Sequence, residues 1–267
     1  GFRPGVIERL GLAPAALLEQ HPRLIIGRLP GWGHEGQLAK QAGHDINYLA
    51  MSGILHGIGT RETPIIPLNL IGDFGGGAMH LLVGVLAKLI QRSVTQRGGL
   101  VETSILAGSI GLTSMFYGQL AGGIWNLERE NNLLDGAMPF YRVYRCSDGR
   151  YVAVGAIEPK FYVQLLDATG LANEIDACEQ YRAASWAATI ERFAARFASR
   201  TRDEWAQIAL AHDACLSPVL DFAEASRDPH NLANSLFRNE PFPQPDNIIE
   251  FDRHLRNPGS SHLNAPG

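Results

Sequence analysis

Two short apolar runs, separated by about seventy residues of chain, limit what this sequence can fold into. Leu24, Ile25, Ile26 and Leu29 lie between Pro22 and Pro30, and Leu100 to Thr103 restarts after Gly98 and Gly99. Runs this short and apolar read as buried strands. Between them, from Asp73 to Arg92, apolar residues recur on a helical period, with Leu81, Leu82, Val85, Leu86 and Leu89 marking one face. Further helical patterns cover Val6 to Leu10, Pro14 to Gln20 and Ser104 to Trp125. Helix alternating with strand implies an α/β layer architecture whose strands are at least partly parallel.

The pattern changes after Trp125. A polar passage begins at Asn126, and two strand-like runs, Tyr141 to Arg145 and Tyr151 to Ala156, flank an Asp148-Gly149 turn of hairpin type. Helices are expected at Pro159 to Thr169, Ser185 to Ala198 and Thr201 to Ala211, the last opening on a Thr201-Arg202-Asp203-Glu204 capping sequence. The expected division is a large domain over 1–125, a linker over 126–140, a smaller α+β domain over 141–236 and a return segment over 237–267.

Composition narrows the function classes. With 267 residues, 45% of them hydrophobic, the chain has material for a substantial core. A net charge of −4 without a dense basic run gives no footprint for nucleic acid. The apolar stretch Ala78 to Ile90, interrupted by His80 and Lys88, is expected to be a core helix too short to span a membrane. Cys146, Cys178 and Cys215 are too few and too scattered for a disulfide scaffold or a Cys-x-x-Cys metal site, which favours a cytoplasmic home.

The candidate chemistry lies in a few places. Gly31-Trp32-Gly33-His34-Glu35-Gly36 fits Gly-x-Gly-x-x-Gly after a strand, but Pro30 breaks the turn and no acidic residue follows about twenty positions later, so a dinucleotide site is rejected. His44 falls near the start of a helical pattern through Ile46, Leu49 and Ile54, where the helix dipole disfavours its cation and keeps imidazole available as a base; a structural histidine fits the same position. Asp73 begins the long helical pattern, as an ordinary N-terminal cap would. A cap leaves Gly75-Gly76-Gly77 unexplained, since each glycine costs a helix about 1 kcal/mol against alanine. Backbone N–H groups brought close to a ligand's developing negative charge would account for them. Glu158, before Pro159 at a strand–helix junction, is either a dipole match or a group able to orient His44. Met115, Phe116 and Tyr117 read as core, although a flexible acyl pocket uses such residues.

The passages Gly31 to Gly33, Gln41 to Tyr48, Pro67 to Gly77 and Asp148 to Pro159, in that order, resemble the α-methylacyl-CoA racemases of the family III CoA-transferase superfamily, and the resemblance runs from Arg3 to at least Phe237. It implies a Rossmann-like large domain, a smaller α+β domain and two interlocked subunits, hence a homodimer. It also implies that His44 and Asp73 are the catalytic bases, that Glu158 is the partner of the histidine and that Asn69 is the partner of the aspartate. Arg9 matches a CoA contact, and Gly43, His44, Asp45, Ile46, Asn47 and Tyr48 match a substrate-binding stretch. Racemases of this family begin with further β-α units that hold much of the adenine and phosphate site, so the large domain is expected to be N-terminally truncated here.

The chemistry so implied is inversion at the α-carbon of a 2-methylacyl-CoA thioester by proton transfer through an enolate. His44 takes the α-proton of the S substrate and Asp73 returns one to the opposite face, with roles exchanged for the R substrate. Backbone N–H groups at Asp73 and Phe74 are expected to hold the enolate oxygen. CoA enters as part of the acyl-CoA substrate, with no separate cofactor and no metal. Two other readings stand beside it: a CoA-transferase in which Asp45 attacks the thioester to form an acyl anhydride, and a truncated, non-catalytic CoA-binding dimer.

Overall fold

The computed structural model describes residues 1–238, 241–246 and 248–249. Most of the expected return segment over 237–267 therefore lies outside the described residues.

The first packing group is built on two parallel strands, β1 (Ile25–Arg28) and β2 (Gly99–Glu102), paired from Ile25 opposite Gly99 to Arg28 opposite Glu102. Helices α1 (Val6–Arg9) and α2 (Pro14–Gln20) precede β1, and Pro14 supplies α2 with a first turn that needs no amide donor. The crossover from β1 to β2 runs through α3 (Asp45–Ser52), α4 (Ile54–Gly57), a nine-residue π-helix (Leu70–Ala78) and α5 (Met79–Thr95). After β2 come α6 (Ile105–Leu112) and α7 (Ser114–Ala121), divided at Thr113 where a single helical stretch was expected.

The π-helix and α6 lie against each other at glycine contact distance. A methyl group on Gly76 would stand 2.7 Å from Ser109 N, and one on Gly77 would stand 3.0 Å from Ile105 Cγ1. Gly108 meets the Gly76 carbonyl just as tightly. Buried Gly76 and Gly77 thus serve helix packing, which corrects the expectation that they bring amides to a ligand.

Because the π-helix leads directly into α5, the helical run spans Leu70–Thr95, 26 residues, and by length and composition would suffice to cross a bilayer. That corrects the shorter count from Ala78 to Ile90. Nor is α5 a core helix, since none of its residues is buried. Leu81 and Val85 cover Gly27 of the sheet, whereas Leu82, Val83, Leu86 and Ile90 are 49%, 62%, 50% and 71% exposed. A sheet of two strands is too narrow to cover more of the helix.

The second group has a core of its own. Antiparallel β3 (Tyr141–Arg145), β4 (Tyr151–Gly155) and β5 (Leu216–Pro218) form one sheet in that order. Helices α8 (Pro159–Thr169), α9 (Ala183–Phe197) and α10 (Arg202–Ala209) belong to the same group. Phe140, Tyr162, Phe193, Phe197 and Trp205 are almost fully buried there, and the Trp205 indole donates to the Phe197 carbonyl at 2.9 Å. Thr201 and Glu204 form the expected capping box of α10. Two short helices, α11 (Phe222–Ala225) and α12 (Pro229–Ala233), and a small β6–β7 pair (Phe237–Arg238 with Gln244–Pro245) follow.

The passage between the groups is tied rather than loose. Asn132, 4% exposed, accepts the Asn126 N–H at 2.6 Å and donates to Asp135 at 2.8 Å. Arg129 Nε donates to the Thr60 carbonyl at 2.7 Å, and Arg129 Nη1 to the His56 carbonyl at 3.1 Å.

An ion pair with a buried arginine secures α11. Arg202, 5% exposed, donates to both Glu224 oxygens at 2.7 and 2.8 Å. These bonds, followed by that from the Asp221 N–H, lower the Glu224 carboxyl from 4.5 to about 2. A group depressed on folding contributes stability that is present above its unfolded value and lost as pH falls through the folded one. Thermal melts between pH 6 and pH 2 should therefore show wild type losing stability more steeply below about pH 4.5 than Glu224→Gln, which starts lower at neutral pH.

Candidate active site

The site starts at the N-terminus of α3. His44 is its cap residue in extended conformation, and its N–H donates to Asn47 Oδ1 at 3.1 Å. The imidazole is exposed, whereas Asp45, one residue on, is 7% exposed. Asp45 Oδ2 accepts the backbone N–H of Asp73 at 2.7 Å. Asn69, the residue that opens the π-helix, donates from Nδ2 to Asp73 Oδ2 at 3.3 Å. Two segments far apart in sequence thus meet at one hydrogen bond, with a histidine on one side of it and a carboxylate on the other.

Asp45 is held at some cost. Burial pushes its carboxyl up, the Asp73 amide pulls against that, and the nearby Asp73 carboxylate adds to the rise. Its Oδ1 is buried without a partner among the described residues. Gly72 makes room for the group, since a methyl there would stand 2.9 Å from Asp45 Cγ and closer still to Oδ2.

Tyr48 and Trp32 form the adjoining wall. The Tyr48 hydroxyl donates to the Gly43 carbonyl at 2.7 Å, and the two rings meet edge to face at 4.7 Å. A side chain on Gly43 would strike the Trp32 ring and one on Gly31 the Tyr48 ring, so both glycines are required by close packing. Burial raises the Tyr48 hydroxyl, the Asp73 charge raises it further, and Arg3 opposes them. Tyr48 and Arg3 are thereby within electrostatic reach of the same site. Arg3 and Trp32 escaped sequence reasoning as site residues; the tryptophan between two glycines was the available signal. Ile46 and Asn47 face outward from α3.

Several expectations change. Asp73 lies inside the π-helix, three residues past Leu70, and does not cap it. Its amide is occupied by Asp45, and Phe74 sits where the wide i→i+5 ladder begins at the Asn69 carbonyl, so neither backbone N–H is open to an enolate oxygen. The free donors are instead the first-turn amides of Asp45 and Ile46, which have no acceptor among the described residues.

Glu158 does not meet His44 within one chain. It occupies the N-cap position of α8 in the second group without a side-chain cap bond, is exposed, and makes no hydrogen bond to the histidine. Arg9 ends α1 exposed to solvent. Arg28, by contrast, is occupied by Glu8 at 3.2 Å and Glu102 at 3.3 Å.

A mostly apolar cavity of about 490 Å³ opens between α4, α7, the ends of α3 and α6, and the Trp125–Asp135 passage. Ile71, Leu112, Phe116, Leu120 and Trp125 contribute to its walls, and His44, Asp45 and Asp73 do not. Ile71 links the two places, being two residues before Asp73. Phe116 and Tyr117 thus line a cavity, and Met115 is 51% exposed, instead of filling a core.

The chain belongs to CoA-transferase family III, whose model matches residues 1–264. Within that family it is similar to named racemases. It is 43% identical over 249 residues to the alpha-methylacyl-CoA racemase of Mus musculus, covering 91% of this chain and 65% of that protein. It is 41% identical over 237 residues to the Homo sapiens protein of the same name, covering 88% of this chain and 62% of that one. The crystal structure of a CAIB/BAIF family protein from Brucella suis matches with a TM-score of 0.77 at 23% identity, over 94% of this chain and 68% of that one, a likeness of mixed α/β fold. The chain therefore spans 62–65% of the length of the two racemases it matches.

Gly72→Ala should force Asp45 off the Asp73 amide. Leaving that buried pair unsatisfied should lower stability by about 1–3 kcal/mol in urea melts.

Proposed function

We propose that this chain carries the proton-transfer chemistry of an α-methylacyl-CoA racemase, inverting the α-carbon of 2-methylacyl-CoA thioesters. The observation that supports it best is the Asp45–Asp73 hydrogen bond, which sets the His44 cap beside a carboxylate already held by Asn69. On this reading His44 takes the α-proton from one face and the carboxylic acid of Asp73 supplies a proton to the other, with the reverse for the opposite enantiomer. Between the two steps the thioester oxygen bears the charge. The unpaired amides of Asp45 and Ile46, at the positive end of α3, are suited to receive it. CoA arrives as part of the substrate, with Arg3 and Arg9 as the free cations nearest the chain's start. The acyl chain would run past Ile71 into the apolar cavity.

The CoA-transferase reading asks Asp45 to act as nucleophile. Its Oδ2 is engaged by Asp73 and its Oδ1 is buried, which disfavours attack on a thioester. Hydroxylamine trapping of an acyl-enzyme would support that alternative.

We further read the two packing groups as a Rossmann-like large domain and a small α+β domain in an interlocked homodimer. The exposed apolar side of α5 needs a cover, and Glu158 needs a histidine; a second copy supplies both. The three cysteines are free, in keeping with a cytoplasmic setting.

In heavy water, wild type should incorporate deuterium at the α-carbon of a 2-methylacyl-CoA, and His44→Ala should reduce the rate by about 10²–10⁴ in the direction that needs the imidazole. No exchange by folded wild type would remove the racemase reading. If the site is shared between copies, mixing unfolded His44→Ala and Glu158→Gln chains and refolding them together should recover roughly a quarter of wild-type activity, since half the dimers are mixed and one of their two sites is intact. Recovery no greater than the sum of the separate variants would place both residues in one chain's site.

A further inference from the structure

Glu158 is an exposed carboxylate on a rigid seat. It stands between β4 and α8, its side chain does not cap the helix, and its carboxylate makes no hydrogen bond or ion pair among the described residues. The backbone just before it is held unusually well. Gln180, 3% exposed, donates from Nε2 to the Ala156 carbonyl at 3.1 Å and to the Ile157 carbonyl at 2.8 Å. The Tyr181 hydroxyl donates to the same Ile157 carbonyl at 2.5 Å. Gln180 is itself fixed, because its own carbonyl accepts the Trp186 indole N–H at 2.9 Å. After Glu158, Pro159 restricts the first helical position of α8. The peptide that carries the carboxylate is thus clamped on both sides while the carboxylate itself is left unused.

Stability alone gives a weak account of this clamp. Gln180 Oε1 is buried without a partner among the described residues, so the side chain accepts a desolvation cost to place its amide on two carbonyls that water or a neighbouring strand could serve. Tyr181 is 51% exposed, and although its ring meets that of Phe140 edge to face at 5.2 Å, that contact does not require its hydroxyl. Its hydroxyl is raised first by local burial and then by the charge of Glu158, which sets it within electrostatic reach of that carboxylate.

We propose that Gln180 and Tyr181 are positioning residues that fix the direction of the Glu158 carboxylate through the Ile157 peptide. The proposal rests on Glu158 acting as the partner of the catalytic histidine. A carboxylate that must meet an imidazole has little tolerance for misplacement, and an error of about 1 Å can cost as much as a hundredfold in rate.

The test begins with Glu158→Gln in the full chain, assayed by α-deuterium exchange. It should lower kcat by roughly ten- to a hundredfold and move the acid limb of the kcat/KM profile to lower pH, because the imidazolium loses its counter-charge. If Glu158→Gln changes neither, the role of Glu158 fails and the clamp fails with it. Given that effect, Gln180→Met should lower kcat about tenfold with KM little changed and move the acid limb in the same direction. In the Glu158→Gln background it should add little. Independent, multiplicative losses, or an acid limb that stays in place while only the melting temperature falls, would overturn the positioning role and leave that of Glu158 intact. Should Gln180→Met fail to fold, Tyr181→Phe at its exposed position carries the same readout. A smaller shift in the same direction supports the proposal, and an unmoved limb overturns it.

Discussion

The hydrogen bond from the Asp73 amide to Asp45 Oδ2 is the constraint on which the first half of this structure turns. It joins α3, where the crossover's helices begin, to the π-helix that leads into α5, and it does so with a carboxylate that has little access to water. Burying that group is favourable only because a backbone donor meets it, and its second oxygen goes without one among the described residues. Several small residues follow from this one bond. Gly72 is small so that Asp45 can enter, and Gly76, Gly77 and Gly108 let the π-helix and α6 approach closely enough to hold Asp73 where the carboxylate can reach it. The exposed His44 needs no further device, because its backbone is fixed by the neighbour it shares with Asp73.

The two packing groups differ in how far each satisfies itself. Around β3, β4 and β5, aromatic residues interlock into a contiguous core, and an Arg202–Glu224 pair ties the flanking helix to it. Around β1 and β2 the buried hydrophobic residues among those described reduce to Ala39, Tyr48 and Leu49, while much of α5 faces outward. Apolar area left in water on this scale marks a surface made to be covered. The half that holds His44 and Asp73, the two proposed proton carriers, thus has the weaker core, and the half with the stronger core holds the carboxylate that would orient one of them.

What the sequence discloses depends on how local the cause is. Pro14 to Gln20 and Pro159 to Thr169 appear in the structure with their expected bounds because proline at a first turn is a local instruction. Thr201 and Glu204 are equally local, and so is the hairpin turn at Asp148-Gly149. The division at Thr113 was not legible, although Thr113-Ser114 interrupts the apolar run there, because a polar pair does not by itself end a helix. Strand β5 escaped because three residues carry no period. At the site, His44, Asp73 and Asn69 could be singled out by residue type and resemblance, and the Asn69–Asp73 bond joins two of them. The assignment of the Asp73 amide failed for a nonlocal reason: its acceptor comes from a residue 28 positions away. The glycine run misled in the same way, because a helix lying against it is invisible until the chain is folded.

The π-helix also gives the chain two helical phases in succession. Along α5 each residue turns about 100° from the last, and within Leu70–Ala78 the turn per residue is smaller. The direction of Asp73 is therefore set by wide-turn spacing and the outward side of α5 by ordinary spacing, and the two need not share a register. The junction at Ala78 works like a gear change in the backbone. Side chains on α5 can vary to suit whatever covers them without rotating Asp73, because the phase that aims the carboxylate ends before that surface begins.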